Sequence, residues 1–384
     1  MKRSRSVSDR LSKGVEYLMR KNKITVYSGR GVIPAAGKVE VRGPDGKAKE
    51  VLTAKNILLA TGSRAKSLPG VAMDGKKILS STEAMLLETV PKSLIVVGGG
   101  AVGVEFAYLY NAYGSKVTIL EMLPALLPNE DREISEQLRR SLEKQGIQSL
   151  LNARVETVNT SGKEVEVSVK VGDASESQKI TGELLLMAVG RQPNSEGIGL
   201  EELHIERDHG FIKVDKQMKC SVPGFYAIGD VIGAPLLAHV ASAEGIVAAE
   251  TVAGKEHPDL NYDNIPSCTY CQPQVASVGL TEERARKEGY EVKVGRFPFR
   301  ANGKALALGE EEGMVKIVAE AKYGAVLGVH IIGCDATEQI AEAGLARTME
   351  ATLDEIASTV HAHPTLSEAV MEAAHVALGH SISI

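Results

Sequence analysis

The sequence has no tryptophan, and aromatic residues make up only 4% of its 384 positions. Stacking of nucleic-acid bases needs such rings, so single-strand binding is a poor fit. Positive charge is not in excess either. The formal net charge is -5, which gives no electrostatic reason to hold nucleic acid or an anionic membrane. No apolar run approaches the roughly 20 residues that span a bilayer. Cysteine is scarce: Cys220, Cys268, Cys271 and Cys334 are the only four. So few and so scattered, they exclude a disulfide framework and suit a reducing cytoplasm, where the chain is expected to reside.

The remainder is ordinary for a globular protein, with 43% hydrophobic and 24% charged residues. The length suggests two to three domains. Glycine is frequent, at 38 residues, and much of it borders hydrophobic runs, as in α/β proteins that meet cofactors with backbone. The opening MKRSRSVSDR has the basic, serine-rich look of a transit-peptide tip. The preferred reading is the exposed start of an amphipathic helix over 1–23, because Leu11, Val15, Leu18 and Met19 follow with helical spacing.

From Ser93 the pattern is a complete βαβ unit: SLIVVGGG as a buried strand, AVGVEFAYLYNAYG as a helix, SKVTILE as a second strand. A long helix over DREISEQLRRSLEKQG closes at Gly146. Strand character is expected again over 211–231, a helix near 239–253, and a further α+β unit from Tyr262.

Gly98, Gly99, Gly100, Ala101, Val102 and Gly103 satisfy GxGxxG, with Glu121 18 residues on at the end of the next strand. Alone the pattern is weak; between a strand and a helix it is the dinucleotide fingerprint. Gly98 permits the turn, Gly100 lets backbone approach a pyrophosphate at the helix N-terminus, and Gly103 allows helix–strand packing. Glu121 would accept hydrogen bonds from the ribose hydroxyls of NAD and repel the 2′-phosphate of NADP. Thr61-Gly62-Ser63 is a small-residue turn after a strand, and Asp230 follows a strand in YAIGD. Asp230 reads either as a ligand to a sugar-like chain or as the N-cap of a following helix.

In HAHPTLSE, His363 and Glu368 suggest a carboxylate-oriented general acid–base. The competing reading makes Glu368 a capping-box partner of Thr365. Metal binding by His361 and His363 lacks a third ligand cluster. Cys268-Thr269-Tyr270-Cys271 is a CxxC, but flanking prolines make it extended rather than a helix start, which argues against a redox role.

Taken in order, ATGS, VVGGGAVGVE, VGRQPN, YAIGD, LLAH and YCQPQVASVGLTE resemble the pyridine nucleotide–disulfide oxidoreductases over essentially the whole chain. HAHPTLSEA with Glu121 is most similar to their dihydrolipoyl dehydrogenase branch. The resemblance implies an α/β fold of two Rossmann-like dinucleotide-binding domains, the first incomplete, and a C-terminal α+β dimerisation domain. Expected boundaries are 1–90 for FAD binding, 91–210 for NAD, 211–261 returning to the FAD domain, and 262–384 for dimerisation. It implies NAD on Gly98 to Glu105 (with Val104), Glu121 and Gly190. It implies FAD on Thr61, Gly62, Ser63, Asp230, Leu236, Leu237, Ala238 and His239, with Gly31 of the GRG turn also touching it. His363 would serve the disulfide, oriented by Glu368, in the partner's active site of a homodimer.

The expected activity is oxidation of dihydrolipoamide with reduction of NAD through FAD, on lipoyl domains of 2-oxo acid dehydrogenase or glycine cleavage complexes. The family's first GxGxxG turn and its CxxxxC pair do not occur in these residues, so weak FAD binding and poor solubility are expected. A diaphorase or transhydrogenase of the same fold, or a non-catalytic NAD-binding dimer, are the alternatives.

Overall fold

The structure, a computed structural model, describes residues 2–384. Met1, the first residue of the expected helix, lies outside them. The chain gathers into two compact units, one of residues up to 65 with 191–260, the other of 66–190 with 261–384.

In the first unit a helix, Lys2–Lys21, buries none of its side chains. Its apolar stripe, Val7, Leu11, Val15 and Leu18, is exposed, each residue by 47% or more. A three-stranded antiparallel sheet follows, Arg30–Ala35, Lys38–Arg42 and Ala48–Thr53. The strand Ile57–Leu59 then pairs in parallel with Phe225–Ala227. Ile57, Leu59, Phe225 and Ala227 enter one core with Ile33, Leu200 and Val231. Leu58, between them, is 45% exposed, although parallel strands are ordinarily covered on both faces. The strand expectation over 211–231 is corrected here: only Phe211–Ile212 and Phe225–Ala227 are strands. Asp215, whose carboxylate takes the N–H groups of Gln217 and Lys219, turns the chain between them.

The second unit contains a five-stranded parallel sheet in the order Ile78–Leu79, Leu184–Met187, Ser93–Val97, Lys116–Leu120, Gln148–Leu150. Side chains of Ser93–Val97 alternate between two cores, as strand geometry dictates. Leu94 and Val96 pack toward the helices Ala101–Ala112 and Arg132–Lys144. Ile95 and Val97 pack toward an antiparallel sheet of Ala153–Asn159, Val165–Val171 and Gln178–Gly182.

The C-terminal part is an antiparallel sheet in the order Ser267–Thr269, Gln274–Gly279, Val326–Gly333, Met314–Glu320, Val292–Pro298. Helices Ala336–Thr348, Leu353–Ser358 and Glu368–Leu378 pack on it. Cys271, Val275 and Ile332 of this part sit in the same cluster as Leu94, Val104 and Leu138, so nucleotide sheet and C-terminal sheet share a core. Among the described residues no helix is long and apolar enough to cross a membrane.

Candidate functional site

The glycine turn joins strand Ser93–Val97 to helix Ala101–Ala112. Gly98 has φ +110, and a Cβ there would lie 2.2 Å from the Ala188 carbonyl oxygen. A Cβ on Gly103 would lie 1.9 Å from the Gly98 oxygen, so only glycine lets helix and strand approach this closely. Gly99 is hemmed in by Leu126 and Glu121. Gly100 differs: a Cβ there meets nothing within 4 Å, and as the helix N-cap it offers no side-chain cap. The helix therefore presents uncapped N–H groups to open space, the electrostatic seat of a phosphate.

Glu121, 8% exposed, accepts from the Gly99 N–H through Oε2 and from the Leu123 N–H through Oε1, the latter at 2.7 Å. This carboxylate is already fixed beside the turn. Val104 is fully buried in the core, whereas Val102 is partly exposed. Glu105 accepts from the Tyr270 N–H at 2.9 Å, and burial pushes its pKa up despite that bond. Gly190 has φ +107 with open space around its Cβ position.

In the first unit, Ser63 Oγ donates to Asp230 Oδ2 at 2.5 Å and accepts from Arg191 Nε at 2.6 Å. Asp230 sits within the short 3-10 turn Gly229–Ile232 rather than at its N-cap, which is Ile228. Gly62 has φ +67 with nothing within 4 Å of its Cβ position. Asn194 braces this turn by donating to the carbonyls of Thr61 and Gly62. Leu236 and Leu237 lead into helix Ala238–Val252, whose N-cap, Leu237, contributes no side-chain bond, and His239 is exposed in its first turn. Asp230 is an acceptor suited to a polyol chain, and the turn at Gly62 leaves open space for one, chemistry that fits the ribityl part of a flavin dinucleotide. Gly31, expected in a turn, lies instead in strand Arg30–Ala35, paired with Val41. The hydrogen-bonding register of the hairpin overrides the turn propensity of GRG.

At the C-terminal end, His363 Nδ1 is 2.9 Å from Glu368 Oε1. Glu368 Oε2 accepts from the Thr365 N–H at 2.7 Å. One carboxylate thus orients the ring and ties down the backbone ahead of helix Glu368–Leu378, but the capping box expected with Thr365 is not formed. Thr365 itself is not the cap: its hydroxyl donates to the Ala362 carbonyl, and Ser367 is the N-cap residue. Burial acts to raise the Glu368 pKa, but the Thr365 N–H and the His363 ring outweigh it and hold it below the usual range. His363 is 77% exposed in its side chain and meets Glu368 through Nδ1, so Nε2 is the nitrogen left to meet a substrate.

Residues 2–245 match the family model described as pyridine nucleotide-disulphide oxidoreductase, and residues 265–374 match its dimerisation domain. The chain belongs to this family. Among its relatives, a dihydrolipoyl dehydrogenase of Chlorobaculum tepidum is 50% identical over 98% of this chain and 80% of its own length. One from Bacillus subtilis is 44% identical over 99% of this chain and 82% of its own length. The crystal structure of LpdA from Mycobacterium tuberculosis superposes with a TM-score of 0.89 at 27% identity, covering 96% of this chain and 81% of LpdA.

The chain is therefore an FAD-dependent, NAD-linked oxidoreductase of the dihydrolipoyl dehydrogenase type, with the family's dimerisation domain at its C-terminus.

As a pyridine nucleotide-disulphide oxidoreductase, the chain keeps its four cysteines free. Cys271 is buried, its Sγ donates to the Pro273 carbonyl, and burial pushes its pKa up to about 12. Cys268 lies in the strand Ser267–Thr269. Neither has the electropositive surroundings of a reactive thiolate.

One site residue, Arg191, escaped the sequence reading, and another, His361, was weighed there only as a metal ligand. Arg191 follows Gly190 and lies 3.5 Å from Asp230 as well as on Ser63. Its only signal was its place in VGRQPN. His361, 6% exposed in its side chain, contacts Glu342 Oε1 through Nε2 at 2.7 Å and the Thr359 carbonyl through Nδ1 at 2.9 Å. The two histidines thus serve different carboxylates.

Replacing Glu368 with Ala is expected to remove both of its bonds, lowering stability by about 1 kcal/mol, as for a lost helix cap. Glu368→Gln, which keeps an oxygen for the Thr365 N–H, should lose less. Thermal unfolding of the two variants checks the order; equal midpoints would count against a contribution from the Thr365 N–H bond.

Proposed function

We propose that Gly98 to Glu105, Glu121 and Gly190 hold NAD, and that Thr61, Gly62, Ser63, Asp230 and the segment Leu236 to His239 hold FAD. When bound, these cofactors supply two-electron transfer between a dithiol and nicotinamide. His363 Nε2 takes the proton from a substrate thiol, and Glu368 holds the ring in the tautomer able to accept it. The observation that carries this reading is the His363–Glu368 contact at 2.9 Å on an exposed ring. The substrate is a dihydrolipoyl group on a lipoyl domain of a 2-oxo acid dehydrogenase or glycine cleavage complex. In the homodimer His363 serves the partner's site, and the protein works in the cytoplasm.

A second reading has its own support. The 384 residues hold no Cys-x4-Cys pair, and none of the four cysteines is a low-pKa thiol in the structure. A polypeptide of this sequence alone should therefore pass electrons from NADH to a dye, as a diaphorase does, without turning over dihydrolipoamide.

Both readings share the flavin seat, which quenching of FAD fluorescence on titration with the chain tests directly. Saturable binding is expected. Asp230→Ala, which removes the acceptor of Ser63 and the neighbour of Arg191, should weaken it about tenfold, as for a lost charged hydrogen bond. No saturable quenching by the unaltered chain would remove the FAD assignment.

A further inference from the structure

Helix Arg132–Lys144 starts against a buried cation. Lys316, in strand Met314–Glu320, is 2% exposed. Its Nζ donates to both oxygens of Asp131 and to Glu133 Oε1, each at 2.9 Å, and lies 3.0 Å from Glu282 Oε2. Arg296 closes the far side, donating to Glu133 and Glu282. Asp131 is 3% exposed and caps the helix by accepting from the Glu133 N–H at 3.0 Å. A buried ammonium among carboxylates holds its neighbours in place, because losing one partner leaves the others uncompensated.

Asp131 also ends the loop that Glu121 begins. Within that loop Leu127 has φ +46 and is 4% exposed. A bulky residue avoids this conformation and keeps it only where the surroundings impose it. The restraints are visible. Leu127 N–H donates to the Gly99 carbonyl at 2.8 Å. The Leu127 carbonyl accepts from Ser135 Oγ at 3.1 Å and from the Glu130 N–H at 2.9 Å. Ser135 N–H in turn donates to the Asp131 carbonyl at 3.0 Å. Gly99 is the middle of the glycine turn, and its own N–H lies on Glu121. Bonds therefore run without a gap from Lys316 through Asp131, Ser135 and Leu127 to Gly99.

We propose that Lys316 is a positioning residue for the dinucleotide: by fixing Asp131 it holds Leu127 against Gly99 and sets the turn that receives the pyrophosphate. This rests on the glycine turn being the NAD seat. Lys316 belongs to the dimerisation domain and bonds to Asp131, Glu133 and Glu282, none of which belongs to the turn. A residue of that domain would thereby control nucleotide affinity.

NADH binding to the full chain, followed by its fluorescence well below the unfolding midpoint, tests this. Lys316→Met should raise the NADH Kd about tenfold. Ser135→Ala, which breaks the path at Leu127 and leaves the ion cluster intact, should raise it about threefold. Arg140→Ala, on the exposed side of the same helix, should leave it unchanged. The double variant K316M/D131N removes both charges and should regain thermal stability over Lys316→Met while keeping weak NADH binding, a split that a purely structural role does not produce. Unchanged Kd in folded Lys316→Met and in Ser135→Ala overturns the inference. If Lys316→Met does not fold, Ser135→Ala decides alone. If the unaltered chain binds no NADH, the NAD assignment of the turn has failed and the inference falls with it, a result distinct from the previous one.

Discussion

One methyl group on Gly103 is expected to unseat helix Ala101–Ala112 and abolish NADH binding. The added Cβ would stand 1.9 Å from the Gly98 carbonyl oxygen and 3.2 Å from Val96 Cγ1. The first is a backbone atom that cannot rotate away, so the whole helix must lift from the strand. Overpacking of this kind costs about 1–3 kcal/mol, and a clash with main chain belongs at the upper end. The same methyl on Gly100 meets nothing within 4 Å. Its cost to stability should stay at about 0.5–1 kcal/mol, the difference between alanine and glycine as a cap. NADH affinity should nevertheless fall at least about tenfold, because the methyl fills the approach to the helix end. Thermal unfolding and NADH titration of both variants separate the two roles of glycine in one turn. Gly100→Ala binding NADH like the unaltered chain would move the pyrophosphate elsewhere.

Acid should destabilise the second unit in two stages. His330 is buried, with Nε2 donating to the Leu280 carbonyl. Burial lowers its pKa; Asp131 opposes this, while Lys316 and Arg347 add to it. A histidine with a depressed folded pKa binds its proton more readily when unfolded. Its contribution is therefore complete above the ordinary value of 6.5 and declines as pH falls below it, by at most about 1.4 kcal/mol per pH unit.

Glu133 titrates later. Bonds from Arg296 foremost, and from Lys316, outweigh burial and hold its pKa near about 2, against 4.5 ordinarily. Its contribution is present above 4.5 and lost as pH falls toward 2. Since Glu133 is partly exposed, solvent screening limits it to about 1–2 kcal/mol. Chemical denaturation at a series of pH values should show both declines. His330→Gln should flatten the first and Glu133→Gln the second; a profile unaltered by either substitution would refute the assignment.

The dinucleotide turn was legible because its signal is local. Gly98, Gly100, Gly103 and Glu121 act through backbone conformation and short spacing, which sequence displays directly. The same holds for His363 and Glu368, five residues apart. What stayed hidden depends on long-range pairing. Lys316 and Asp131 are 185 residues apart, and nothing local marks either as buried. Arg191 and Ser63 are 128 apart, and only the antiparallel pairing of Ser63–Ala65 with Arg191–Pro193 brings them together. Gly31 was misread as a turn because glycine's turn propensity is visible in sequence and strand register is not. Asp230 was ambiguous for a similar reason: its partner Ser63 lies 167 residues away in the chain, while its helix neighbours lie beside it.

The core shared by the parallel sheet and the C-terminal sheet bears on how this protein can be re-engineered. Dinucleotide-binding folds are often treated as exchangeable cassettes. Here Cys271, Val275 and Ile332 close the same cluster as Val104 and Leu138, and Lys316 pins the loop that follows Glu121. Grafting a foreign nucleotide module between residues 90 and 190 would import a surface that the C-terminal sheet was never selected to match. On the proposed reading of the glycine turn, cofactor preference in this chain is therefore a property to be rewritten one side chain at a time, beginning with Glu121, rather than one module at a time.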